Sequence, residues 1–61
     1  MDKELKDTII RNIVEIDQKI TRLEWLLTTH KNEDEIKYIQ EKINELKLRK
    51  EEYLNTLRNL K

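Results

Sequence analysis

Two runs of apolar residues, each recurring at every third or fourth position but out of phase with one another, restrict this chain more than any other feature. In the first half Ile9, Ile13, Ile16, Ile20, Leu23 and Leu27 step by 4, 3, 4, 3 and 4. In the second half Ile36, Ile39, Ile43, Leu46, Lys50, Tyr53, Leu57 and Leu60 step by 3, 4, 3, 4, 3, 4 and 3. Both are heptad seams at the a and d positions, broken only by Lys50. Leu27 and Ile36 are nine residues apart, and nine steps of about 100° carry a stripe to the opposite side of a continuous helix. One unbroken helix would present half of its apolar stripe to each side. A break between the seams lets both stripes face each other, so the spacing predicts an all-α, antiparallel two-helix hairpin of the coiled-coil kind.

Local signals place the break. Thr28, Thr29, His30, Lys31 and Asn32 are poor helix formers or basic end residues, and His30 and Lys31 suit a helix C-terminus. Asn32 is a candidate N-cap, with Glu35 three residues on completing a capping-box pattern. Glu33, Asp34 and Glu35 bring negative charge to the positive end of the second helix. Asp2 can cap the first helix, and Arg58 and Lys61 fall in the last turn of the second. Residues 1–61 are therefore read as one helical-hairpin domain, with a first helix over about 2–30, a turn near 31–33 and a second helix over about 33–60. Each helix would be about 43 Å long, and matched lengths with a short loop favour antiparallel neighbours. Folding back at residues 31–32 brings Leu27 to Ile36, Ile20 to Ile43, Ile16 to Leu46 and Ile13 to Lys50.

A chain of 61 residues is too short for one core to suffice easily, and such chains lean on disulfides, a metal or a partner. There is no cysteine and one histidine, which excludes disulfides and leaves no ligand set for a closed zinc site. A partner chain remains. The seams alone do not exhaust the apolar residues: Leu5 and Leu26 at g and Ile10 at e widen the first helix, as Leu54 at e widens the second. Leaving four such side chains in water would forgo on the order of 6–12 kcal/mol, against a typical stability of about 5–15 kcal/mol. Two hairpins about a two-fold axis, closing a four-helix bundle, are the simplest expected assembly. Its core would hold Ile9, Ile10, Ile13, Ile16, Ile20, Leu23, Leu26, Leu27, Ile36, Ile39, Ile43, Leu46, Tyr53, Leu54, Leu57 and Leu60, with Lys50 setting the register.

The charges exclude several functions. Thirteen basic and thirteen acidic residues cancel, and each half of the chain is itself balanced, so neither is a nucleic-acid arm or an acidic tail. Absence of Gly and Pro, with Ile and Leu at regular spacing, marks long helices and not a disordered chain. No apolar run reaches the ~18 residues of a membrane span and no signal peptide opens the chain, which sets the cytoplasm as the expected location. Eight Ile, nine Lys and five Asn without Ala or Gly are the usage of an AT-rich genome, such as a low-GC bacterium, its phage or its plasmid.

Few residues ask for a role outside the core. Trp25 falls at f, outermost on the first helix, with Val14 three turns before it on the same face. Tyr38 lies at the same height on the second helix, and Leu48 is another outward f residue. Aromatics are enriched at binding hot spots, so these four are the candidate contacts with another protein. Lys50, amid Ile and Leu, is expected to send its ammonium outward or to pair with an acid such as Asp17. His30 is read as a helix-end residue, because no second nitrogen or sulfur ligand accompanies it. The acid pairs Glu33–Glu35 and Glu51–Glu52 lack a pocket to separate two pKa values, and Glu15, Glu33 and Glu45 each stand four before a basic residue, as surface ion pairs do. Lys47, Arg49 and Lys50, with Arg11, Lys19 and Arg22, form the densest positive cluster, but acids interleave them.

In length and topology the chain resembles the Rop-like plasmid regulators, helical hairpins that dimerise into four-helix bundles and bind paired RNA loops. It lacks the Ala-containing core layers of that family. The window Gln40, Glu41, Lys42, Ile43 and Asn44 is similar in apolar spacing to the Ser-Gln-Glu-Leu-Asp motif of two-helix phosphatases of the sporulation phosphorelay, without its polar identities. The residues thus lead to a small non-enzymatic interaction or regulatory protein, working through a helix face of a homo-oligomeric bundle, with no catalytic residue, cofactor, metal or small-molecule substrate. Its expected partners are a second copy of itself and another protein. A Rop-like nucleic-acid-binding regulator and a purely structural coiled-coil module are the competing expectations.

Overall fold

The structure, a computed structural model, describes residues 3–29 and 32–60. Helix α1 spans Lys3–Thr29 and helix α2 spans Glu33–Asn59, each of 27 residues. The molecule measures 47 × 14 × 10 Å. Twenty-seven residues span about 40 Å, so the helices lie side by side over their whole length. Their direction is fixed by what meets what. Ile16 and Ile20 of α1 share one buried cluster with Ile39 and Ile43 of α2, and Lys50 reaches Asp17. Residue numbers across the contact rise on one helix as they fall on the other, as the seam spacing requires of an antiparallel pair.

Each end of the break has its own chemistry. Asn32 is extended, with φ −79° and ψ 123°, and its side chain accepts hydrogen bonds from the Asp34 and Glu35 amides, at 2.9 and 3.4 Å. Its carbonyl accepts from the Ile36 amide at 3.0 Å, opening the helical ladder. Two amide donors that no preceding turn could satisfy are thus bonded. At the other side of the break α1 carries helical geometry through Thr28 and Thr29, two weak helix formers. Their hydroxyls turn back and donate to the carbonyls of Trp25 and Leu26, at 2.6 and 3.0 Å, which occupies acceptors in the last turn. At the end of α2 the Leu60 amide donates to the Leu57 carbonyl at 3.2 Å, and Arg58 donates to Asn55 Oδ1 at 3.1 Å. Asp2, His30, Lys31 and Lys61, to which helix-end roles were assigned above, lie outside the described residues.

Among the described residues those buried are Ile9, Ile16, Ile20, Ile39 and Ile43, all on the two seams. Leu23, Leu27, Leu46 and Tyr53 pack against the central cluster and remain partly exposed. No described residue is wholly enclosed, as expected where one narrow stripe meets another and solvent reaches both flanks. No helix among the described residues is long and apolar enough to cross a membrane.

Lys50 takes the place of an apolar residue in the α2 seam. It is half-buried, and its Nζ lies 2.7 Å from Asp17 Oδ1 on α1. Asp17 occupies an e position one turn beyond Ile13, so the lysine stem crosses the seam and its charge emerges at the flank.

Candidate interaction surface

Antiparallel pairing gives the hairpin two unlike flanks, because the g positions of the two helices line one and the e positions line the other. On the e flank the Asp17–Lys50 ion pair bridges the helices. Nearer the loop a shallow hollow is lined by Glu24, Gln40, Asn44 and Lys47 beside Leu27 and Ile43. Polar side chains therefore cover most of this flank, and apolar surface is confined to its open end, at Ile10, Val14 and Leu54.

The g flank holds a groove of about 500 Å³ between the helices. Leu23, Leu26, Tyr38 and Leu46 supply its apolar lining, and Lys19, Arg22, Lys42 and Arg49 its cationic rim, joined by Glu45. Lys42 Nζ is 3.6 Å from Glu45 Oε2 and 5.7 Å from the centre of the Tyr38 ring. Nearer the loop the apolar surface continues past Leu26, Tyr38 and Ile39 to Asp34 and Glu35. The acid at Glu45 thus pairs with Lys42, three residues before it, where the spacing had pointed to Arg49, four residues after it.

The surplus apolar residues divide between the flanks. Leu5, Ile10 and Leu26 are 48%, 42% and 42% exposed. Leu54 is half-buried, so a single hairpin already shields it in part.

The four residues singled out for partner contact do not form one patch. Trp25, 70% exposed, lies on the outer side of α1 beside Thr21, Glu24 and Thr28. Val14 sits along the same side beside Thr21, Asp17 and Gln18, so Thr21 links it to Trp25. Leu48 projects outward from α2 and is 67% exposed. Tyr38, although level with Trp25, is at a c position and belongs to the groove with Leu26. The cationic cluster is likewise rearranged: Lys19, Arg22 and Arg49 meet at the groove, Lys47 lies on the opposite flank and Lys50 in the seam. Lys42, which a linear scan passes over, completes the rim. Its position at g, one heptad before Arg49 and across from Lys19, is the signal that reveals it.

Among the described residues no three His, Cys, Asp or Glu side chains are grouped to hold a metal ion. Compared with family models, with characterised proteins and with solved structures, the chain matches none of them.

Proposed function

We propose that the protein is a non-enzymatic interaction module, which self-associates through a flank of the hairpin and engages another protein through the outer side of α1. The observation that carries this reading is the amount of large apolar surface left in water by the hairpin alone: Leu5, Ile10, Val14, Trp25, Leu26, Tyr38 and Leu48 are all exposed. Single exposed apolar residues are ordinary, but Leu26 and Tyr38 adjoin on one surface, and contiguous apolar surface on a chain this small marks an interaction site. Leu26 and Tyr38 line a concave groove, which suits the side chains of a packed helix. Trp25 and Val14 point away from that groove and stay accessible after it is filled, which suits a second, different partner.

A Rop-like nucleic-acid reading has one observation in its favour, the four cations around the groove. The apolar lining, and the acids Asp34, Glu35 and Glu45 among and beside those cations, favour a protein surface over a phosphate backbone.

The test has two stages. Sedimentation equilibrium of the purified chain should give a mass at least twice 7.6 kDa at micromolar concentration, and a stable monomer would refute self-association. The chain and its Trp25→Ala variant are then compared as bait in extracts of the native host. The variant should keep its helicity and oligomeric mass and lose a protein that the unaltered chain retains. Retention of nucleic acid instead, seen as 260 nm absorbance that salt removes steeply, would transfer the function to the nucleic-acid reading.

A further inference from the structure

We propose that the g-flank groove takes a helix of another protein, one whose apolar stripe is edged with acids in its first half and with bases in its second. The inference goes beyond the self-association and the α1 contact proposed above, and it rests on the opposite charge of the two ends of the groove.

Two hollows make up the groove, and Leu23, Leu26 and Tyr38 line both. In the hollow toward the middle of the hairpin, Lys19, Arg22, Lys42 and Arg49 surround the apolar floor with the single acid Glu45. That acid is held by Lys42 at 3.6 Å. Glu15, one turn before Lys19 at a c position, brings the acids of this stretch to two against four cations. In the hollow toward the loop the charged residues are Asp34 and Glu35, and among the described residues no cation lines it. One apolar floor therefore runs from a positive end to a negative end. The e flank differs: there the Asp17–Lys50 pair joins opposite charges of the two helices. On the g flank Lys19 and Lys42 stand at g positions at nearly the same height, so like charges face each other across the groove.

The shape of the floor suits a helix. Arg49 and Glu35 are fourteen residues apart on α2, about 21 Å, the length of two heptads. A helix laid there meets the floor with its a and d residues and the rim with the positions beside them, as in helix-in-groove recognition. A small amphiphile fits less well, because the groove lies open along one flank and such ligands bind where most of their surface is enclosed. Charge complementarity then sets the composition: acids against Lys19, Arg22, Lys42 and Arg49, bases against Asp34 and Glu35. Helices favour acids in their first turns and bases in their last, so the partner runs from the middle of the hairpin toward the loop, parallel to α1. The outer side of α1 is uncharged from Val14 to Thr28, and that of α2 has one apolar residue, Leu48. Neither outer side of a second copy thus combines the stripe with the charges.

The probes are synthetic helical peptides of three heptads with Leu at a and d. One has Glu edging its first half and Lys its second, one has Glu throughout and one has Lys throughout. The divided peptide should bind roughly three- to tenfold more tightly than either uniform one; equal binding of all three, or a uniform peptide binding best, would overturn the polarity of the groove. A nitroxide on the first residue of the divided peptide should broaden the amide signals around Arg49, and broadening around Glu35 instead would overturn the direction. In a chain carrying Arg22→Glu and Lys42→Glu the preference should pass to the all-Lys peptide, whereas Lys47→Glu, on the opposite flank, should leave it unchanged. The reverse pattern would move the site off the groove. Sedimentation of the same samples separates this proposal from self-association. A monomer that binds the divided peptide would refute self-association and support the groove as proposed. A dimer that binds peptide only once diluted to monomers would have a second copy in the groove, which overturns the proposal and leaves self-association standing.

Discussion

Lys50 shows most clearly how one side chain is held between two demands. Its position belongs to an apolar seam, yet its ammonium reaches Asp17 at 2.7 Å. With the Lys50 and Asp17 side chains 34% and 49% exposed, such a pair is worth about 0.2–1 kcal/mol. A leucine in the same place would bury more of its side chain against the layer of Ile13 than the lysine stem does. Lys50→Leu should therefore raise the stability by about 1–3 kcal/mol, read as a higher melting temperature. It should also broaden the distribution of oligomers, because a polar a residue discriminates among registers. If the variant melts lower than Lys50→Ala, Lys50 does not stand in the seam. That Lys50 would seek an acid such as Asp17 was legible from sequence, since a long cation at an a position has to leave the seam at its flank. The grouping of Tyr38 with Leu26 was not: height along the hairpin said that it neighbours Trp25, and only the rotation of each helix about its axis separates the two.

At the scale of the helices, local chemistry and tertiary pattern agree on where the chain reverses. Asn32 bonds two amides of the first turn of α2, and Glu33, Asp34 and Glu35 add negative charge there. Asn32→Ala should cost about 1 kcal/mol, a fall of roughly 4–8 °C in Tm for a chain of this size. Asn32→Asp or Asn32→Ser should recover most of it, because either side chain retains an oxygen for the same amides. A thermal melt of the three variants checks this, and an unchanged Asn32→Ala would mean that the cap is replaced by water at no cost. The helices themselves were readable because a heptad seam and an N-cap are one-dimensional patterns. Thr28 and Thr29 were less so: propensity alone weighs against them, yet both stay helical, with their hydroxyls donating to the carbonyls of Trp25 and Leu26. The groove was the least legible, since it joins c and g residues of two helices and depends on the rotation of both.

For the whole molecule, the proposed self-association would draw on the same apolar residues as folding. Among the described residues five are buried by the hairpin alone, so on the proposed self-association a second copy would supply much of the remaining burial. The melting temperature should consequently rise with protein concentration, as mass action requires when the partner binds only the folded form; a melting temperature constant over a hundredfold range would show that the hairpin is self-sufficient. The uneven distribution of the core along the hairpin has a kinetic consequence. The cluster of Ile16, Ile20, Ile39 and Ile43 lies toward the loop, whereas among the described residues only Ile9 is buried toward the open end. Contacts near the loop close short segments of chain and cost the least entropy. Within each hairpin, folding should start beside the loop and advance toward the termini like a closing zip. Truncating Leu23 or Ile39 should then slow folding, with φ of about 0.5–0.8, while truncating Ile9 or Leu57 should mainly hasten unfolding. The same gradient makes the termini the first part to open, and amide exchange should be quickest there and slowest around Ile20 and Ile43.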